Sequence, residues 1–481
     1  MHINMENKSS QIIGRRNFIK SSSTLIAGSL VACSLPTEKS AFVAPNDKIL
    51  KLALIGCGKR GTGAVVNALV ADTSVELVAL ADVFEDHITD CIENLKLTQE
   101  NTSEFNFIRP LEDIAKFSGF EAYKKAIDLA DVVILATPPG FRPYHLEYAI
   151  TNGKHVFCEK PLAVDPTGIR KVLELVPIAE EKNLNIVVGL QRRYEIKYHE
   201  IMKRIHNGEI GEILSGQVCW DSEGVWVKDR LTNQSELEYQ MNNWYYFNWL
   251  CGDHIVEQHV HNIDVFNWAK QSFPVSAKGI GGRQARTDNK YGEIYDHHYV
   301  EYTYEDGSIL NSRCSHLKGS DTKVGETIIG TKGRADISYF KNGTITDYSG
   351  NKLYRHREKN DPNPYQLEHN ELFKSIRSGD TINDLDYAAK STLTAILGRY
   401  ATYSGQVIKF EDALNYQHAL APEIISWENN PPISPNDNGD YPIAIPGITK
   451  FYSDTWMDEQ IADKPLLEKA LKKLDLIEKK F

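Results

Sequence analysis

The sequence predicts an α/β chain of two unlike halves, a doubly wound parallel sheet followed by a β-rich part. Three observations carry this. A short apolar run at residues 51–55 is followed by Gly56, Gly58 and Gly61 in the spacing G-x-G-x-x-G, and a helical pattern starts directly after them. Strand-like and helix-like segments then alternate as far as residue 189. After about residue 212 the alternation gives way to short β-rich segments with hairpin signals. At 481 residues the chain is too long for one compact core, so two domains with additions are expected.

At the N-terminus, GRRNFIKSSSTLIAGSLVACS (residues 14–34) places Arg15 and Arg16 ahead of Phe18 and a short apolar run. The layout resembles a twin-arginine export signal, which carries folded proteins across the bacterial inner membrane. The run Leu25–Ala32 is too short, and too rich in Ser and Gly, to span a bilayer as a stable anchor. It ends in LVAC, which resembles a lipobox cut before Cys33 with lipidation of that cysteine. Residues 1–33 are therefore expected to direct export to the periplasm, with a lipid at Cys33 as the one link to a membrane.

The first half follows. The three glycines serve a tight turn, a close backbone approach to a pyrophosphate, and helix–strand packing. A second strand, VELVALADV (75–83), carries Asp82 at the spacing where a carboxylate accepts hydrogen bonds from ribose hydroxyls. That charge repels a 2′-phosphate and favours NAD over NADP, although Lys59 and Arg60 lie close enough to soften the preference. Strands are expected at 131–139, 154–161 and 184–189, with helices at 142–151 and 166–182.

Composition excludes some partners. The formal charge is −11; Lys8, Arg15, Arg16 and Lys20 against Glu6 give the first 32 residues +3, leaving −14 for the rest. Such an acidic body is unsuited to nucleic acid or an anionic membrane. The seven cysteines are widely spaced, with no C-x-x-C pair, so neither a zinc site nor a disulfide framework is expected.

With GKHVFCEKPLA (153–163) the chain resembles the glucose–fructose oxidoreductase, inositol dehydrogenase and rhizopine-catabolism family (Gfo/Idh/MocA). ATPP with a following His, GLQRRY (189–194), GEIGEI (208–213) and GTKGRA (330–335) add to the likeness, which covers roughly residues 48–410. LTAILGRYATYSG (393–405) and GDHIVEQHVHNIDVFNW resemble its exported branch. The resemblance implies an N-terminal Rossmann domain (48–190) and a C-terminal α/β domain (191–410) with a large, mostly antiparallel open sheet; beyond its reach the residues themselves predict a C-terminal arm and helix (411–481). It further implies a homo-oligomer and NAD-dependent oxidation or reduction at a hydroxyl carbon of a sugar or sugar derivative. Cofactor contacts then fall on Gly56, Gly58, Lys59, Arg60, Gly61, Asp82, Thr137, Pro138, Glu159 and Lys160. The family's catalytic set, the lysine of Glu-Lys-Pro and Asp-x-x-x-His on a helix, maps onto Lys160, Glu257 and His261, with glutamate in place of the usual aspartate.

The residues themselves agree in outline. Read as one helix, GDHIVEQHVHNIDVFNWA (252–269) puts His254, Glu257, His261 and Asp264 on one face, with His259 elsewhere. Oxidising an alcohol carbon requires a base for the hydroxyl proton, a task suited to a histidine oriented by a carboxylate one turn earlier. A lysine ammonium stabilises the developing alkoxide. HIVEQHVH is not H-E-x-x-H, and no metal is expected. Arg192 and Tyr194 follow the last strand of the first half, where ligands of α/β folds sit, and join His254 as substrate-contact candidates. NNWYYFNWL (242–250) offers Trp244 or Tyr246 to stack on a sugar ring. YDHHYVEYTYEDGSILNSRCSHL (295–317) reads as two alternating strands about Asp306-Gly307. One face would hold His297, Tyr299 and Glu301, toward ligand, another subunit or solvent. Helices are expected at 365–378 and 384–404, an ordered arm at 428–447 and a helix from Asp463. Two competing readings share these features: a redox-neutral hydrolase or lyase that oxidises a sugar transiently, and a binding protein that has lost its chemistry.

Overall fold

The computed structural model describes residues 48–339, 342–357, 360–423 and 425–450. The expected export signal, Cys33 and the helix expected from Asp463 lie outside the described residues.

The first half forms a six-stranded sheet from β1 (Leu50–Ile55), β2 (Val75–Asp82), β3 (Ala115–Ser118), β4 (Val132–Leu135), β5 (His155–Cys158) and β6 (Ile186–Val188). Their order is β3-β2-β1-β4-β5-β6, and every neighbouring pair is parallel. Strands β1 and β4 are almost wholly buried apolar runs, as a sheet covered on both faces requires. The helices of this half are α1 (Lys59–Ala71), α2 (Glu85–Glu100), α3 (Ala122–Asp128), α4 (Arg142–Thr151) and α5 (Pro166–Glu181). Strand β3 alternates half-buried and exposed residues at the sheet edge and was not among the expected strands. Strand order reverses between β1 and β4, and the glycine loop leaves β1 at that crevice, where ligands of open α/β sheets bind.

The second half opens with α6 (Ile196–His206) and builds a nine-stranded sheet. Its strands are β7 (Ile213–Ser222), β8 (Ser276–Gly282), β9 (His297–Thr303), β10 (Ile309–His316), β11 (Val324–Gly330), β12 (Gly333–Ser338), β13 (Gly343–Asp347), β14 (Lys352–Arg355) and β15 (Ile408–Lys409). The order is β14-β13-β12-β11-β7-β10-β9-β8-β15, antiparallel except for the β7–β10 pair. The expected hairpin is β9–β10, and its faces divide as the alternation requires: His298, Val300 and Tyr302 are buried while Tyr299 is 41% exposed. Helices α7 (Glu236–Asn242), α8 (Asn248–Cys251), α9 (His254–Glu257) and α10 (Val260–Lys270) connect β7 to β8. After β14 come α11 (Pro364–Ser378), α12 (Leu385–Ser404) and α13 (Phe410–Asn415). Helices α10 and α12 cover the inner face of the sheet.

Two departures from the expected plan matter for the site. The segment 252–269 is two helices, with Gln258 and His259 between them. Helix α11 lies within the second expected domain by sequence, yet it packs on α1 of the first. Gln366 and Asn67 exchange hydrogen bonds, Arg377 donates to Asp72 at 2.7 Å, and Leu372 and Phe373 share a core with Phe157 and Val187. The 428–447 segment has no regular structure but is anchored: the Ile433 carbonyl accepts from Gln240, and Tyr441 donates to Glu236.

Candidate active site

The glycine loop has the shape a dinucleotide needs. Gly56 has φ +97°, and a Cβ there would come within 2.6 Å of the Ala136 carbonyl carbon. A Cβ at Gly61 would lie 2.0 Å from the Gly56 oxygen. A Cβ at Gly58 would meet nothing within 4 Å, so the protein does not itself require that glycine. Open space there fits a close backbone approach by a pyrophosphate, beside the N-terminus of α1. Asp82 ends β2 with its carboxylate in place: Oδ2 accepts from the Cys57 amide at 2.7 Å, and Oδ1 faces Phe84 N at 3.0 Å and His87 Nδ1 at 3.1 Å. The hydrogen bond to Asp82 raises the His87 pKa above its usual range. Lys59 is exposed, whereas Arg60 turns to Glu159, lies 3.5 Å from Glu368 and stacks 4.8 Å over Tyr365. A 2′-phosphate would have to compete with two carboxylates for Arg60. Thr137 and Pro138 follow β4, and Thr137 Oγ1 meets His145 Nδ1 at 3.1 Å. Burial and the neighbouring Arg142 push that histidine down to about 3, so it stays neutral.

Lys160 stands just beyond β5, at the carboxyl end of the parallel sheet, and the second half reaches it there. Its Nζ donates to the Glu257 carbonyl at 2.6 Å and to Glu257 Oε1 at 3.1 Å. His261 lies in the first turn of α10, 7% exposed, with Nδ1 buried and unpartnered. Burial, then the charges of Lys160, Arg192 and Arg60, holds its pKa well below the usual histidine range. The sequence predicts that this carboxylate orients the histidine. The structure gives that carboxylate to the lysine instead, because the break after Glu257 takes it off the helix that carries His261.

The other candidates land in varied places. Arg192 is 1% exposed and ion-paired to Glu326, which also accepts from Tyr198 at 2.9 Å and Asn262 at 2.7 Å. Its Nε and Nη2 are buried without partners, and its guanidinium lies 5.6 Å from the Trp220 ring. Tyr194 commits its hydroxyl to Asp384 at 2.8 Å, and Arg193 forms two bonds to Asp264. His254 is 1% exposed and stacks on His316 at 4.3 Å, turned toward the sheet. Trp244 is half-buried at the edge of an aromatic core, 6.0 Å from Trp226, while Tyr246 is fully buried. Sequence reasoning missed Trp220, whose half-buried ring stacks 6.1 Å from His261. Its position on β7, beside an apparently ordinary strand pattern, carried no local signal.

Comparison with known proteins agrees with this geometry. A model described as an oxidoreductase family with an NAD-binding Rossmann fold, GFO_IDH_MocA, matches residues 50–190. A GFO/IDH/MocA C-terminal domain model matches residues 198–336. An inositol 2-dehydrogenase of Pseudomonas syringae is 30% identical over 165 residues, 34% of this chain and 44% of that protein. A glycosyl hydrolase family 109 protein of a Shewanella species is 25% identical over 253 residues, 48% of this chain and 50% of that one. The chain thus spans about half the length of the curated relatives it matches. The crystal structure of an aldose-aldose oxidoreductase from Caulobacter crescentus superposes with a TM-score of 0.59 at 18% identity, over 75% of this chain and all of the other. The first half is an NAD-binding Rossmann domain, and the two family models together take in more than half of the sequence. The chain belongs to the Gfo/Idh/MocA oxidoreductase family.

Proposed function

We propose that this protein is an NAD-dependent oxidoreductase acting on a hydroxyl carbon of a sugar or sugar derivative, in carbohydrate catabolism. The convergence of Lys160, from the cofactor half, with Glu257 and His261 from the other half carries the reading. NAD, when bound, supplies the hydride acceptor. The neutral His261 is suited to take the substrate's hydroxyl proton, and its low proton affinity lets it release that proton afterwards. An ammonium has three donors; Glu257 occupies two from Lys160, which leaves one for the oxygen on which negative charge develops. Trp220 provides an aromatic wall for the C–H face of a sugar ring. The test is a panel of sugars and polyols assayed at the nicotinamide absorbance. Failure of every sugar and polyol to change that signal would remove the net-oxidation reading.

A second reading is favoured by the glycosyl hydrolase family 109 relatives: a redox-neutral hydrolase or lyase that oxidises its sugar transiently. Both readings use the same base and the same pocket. Release of an aglycone from a glycoside with no net change in nicotinamide absorbance would select this one.

We also propose export in the folded state, directed by residues 1–33, with the cofactor loaded beforehand and retained. Outside the inner membrane there is no obvious free pool of NAD, and a bound dinucleotide stabilises the fold that holds it. Each reduction is then reversed in the same site, by a second sugar or by the same substrate after rearrangement. Nucleotide that washes out readily on dialysis, with fresh NAD needed for each turnover, would end the retained-cofactor idea and leave the dehydrogenase reading standing.

A further inference from the structure

Behind the candidate active site, the inner face of the large sheet buries a group of side chains that the proposed chemistry does not use. Asp253 precedes α9 with φ +72°, a backbone conformation rare for a residue other than glycine. Its Oδ2 accepts from the Tyr295 amide at 3.0 Å and from the Tyr403 hydroxyl at 2.5 Å, and its Oδ1 caps the His254 amide. Two imidazole rings turn their Nε2 atoms toward this carboxylate. His298, on β9, lies 3.3 Å from Oδ2, and His254, on α9, lies 3.8 Å from Oδ1. All three residues are at most 1% exposed, and neither Nε2 makes a hydrogen bond.

The tautomer of His298 sharpens the problem. Thr402 Oγ1 lies 2.9 Å from the Arg399 carbonyl and 2.9 Å from His298 Nδ1. With the hydroxyl proton on the Arg399 carbonyl, His298 carries its hydrogen on Nδ1, and the neutral ring presents a lone pair to a buried carboxylate. A proton on Nε2 would relieve that contact, yet it would leave His254 Nε2 buried and unpaired. Protonating both rings would put two imidazolium ions 4.9 Å apart in the interior. One divalent cation satisfies the carboxylate and both rings together.

We propose that Asp253, His254 and His298 form a buried binding site for a divalent transition-metal ion of the zinc class. Their ligand atoms all lie within 4.8 Å of one another. Ligands about 2.0–2.2 Å from a tetrahedral ion stand roughly 3.3–3.6 Å apart; His298 Nε2 is 3.3 Å from Oδ2, and His254 Nε2, 3.8 Å from Oδ1, closes by a few tenths of an ångström on binding. The outer contacts are those that metal ligands keep: the second nitrogen of His298 is held by Thr402, and Asp253 by Tyr403 and the Tyr295 amide. Spacing along the chain does not single out this set, because Asp253 and His254 are brought to His298 only by the sheet. The ion ties α9, whose last residue Glu257 holds Lys160, to β9. The inference stands independently of the reaction proposed above.

Elemental analysis of the full chain, purified without chelator, tests it. The expected result is about one zinc-class ion per chain. After chelation, Co2+ should restore the stoichiometry and give the ligand-field absorption of a tetrahedral site with nitrogen and oxygen ligands, and Zn2+ should restore the melting temperature. His254→Gln and His298→Gln should each lower occupancy at least tenfold. If one of these variants fails to fold, the parent protein still decides the matter. A parent chain that carries no stoichiometric ion and takes up neither Zn2+ nor Co2+ overturns the proposal, as does full occupancy in both variants.

Discussion

Lys160 has a single ammonium proton left for a substrate, and among the described residues nothing hydrogen-bonds His261 Nδ1, so each should be sensitive to removal. Lys160→Ala and His261→Ala are expected to lower turnover by a factor on the order of 100 or more while NAD stays bound. Normal turnover in either variant, with any substrate the parent accepts, would refute the assignment. The environment of His261 also sets a pH profile. The residue acts when neutral, and its pKa is depressed, so the acid limb of kcat/KM should fall below about pH 6.5, the usual histidine value. Removing the neighbouring positive charge in Lys160→Ala should move the limb of the residual activity upward. A parent limb at or above that pH would contradict the low proton affinity. Asp82 governs cofactor choice in a comparable way. Asp82→Ala deletes the acceptor for ribose hydroxyls and the negative charge that repels a 2′-phosphate. Calorimetric titration should show weaker NAD binding and a smaller gap to NADP; an unchanged ratio would show that selectivity lies elsewhere.

Elements position these groups, and one buried ion pair holds several of them together. Glu326 on β11 accepts from Arg192, Tyr198 and Asn262, and so joins the sheet to the segment after β6, to α6 and to α10. Glu326→Ala leaves the Arg192 guanidinium unpaired in the interior and should cost about 3–5 kcal/mol in a denaturant titration. A loss below about 1 kcal/mol would mean that water replaces the carboxylate. The sequence showed the elements better than their joins. Alternation placed β9 and β10 around Asp306-Gly307 because one face is buried and a slip would invert every side chain. The glycine loop was legible because its backbone geometry tolerates few residues. The break between α9 and α10 was not, since His254 through Asp264 keep a helical period and contain no proline or glycine. A His259 hydrogen bond to Ser312 on β10 marks what displaced the expected face, and that contact is tertiary. For the same reason Arg192 read as a ligand group, and Trp220 did not read as one.

For the molecule as a whole, we propose that the outer face of the nine-stranded sheet packs against a second copy. Ile280 on β8 is 72% exposed and Tyr299 on β9 is 41% exposed, and the two are paired residues on adjacent strands. Ile280→Asp combined with Tyr299→Asp should lower the mass measured by light scattering from oligomer to monomer, with the melting temperature of the isolated subunit little changed. An unaltered mass, or a monomeric parent, would dismiss the sheet face as an interface. A different kind of consequence comes from α11. Arg60 in the glycine loop takes one of its carboxylates from Glu368, 308 positions further along the chain, and Phe157 and Val187 bury themselves against Leu372 and Phe373. On a ribosome, the first sheet is therefore synthesised long before its cover. A nascent first half exposes apolar surface over α1 and β5, and its Arg60 has Glu159 without Glu368, until most of the polypeptide has been made. The nucleotide pocket is encoded first and finished late, so a truncated product that ends after β6 should emerge as an aggregation-prone fragment rather than as a small, self-sufficient nucleotide binder.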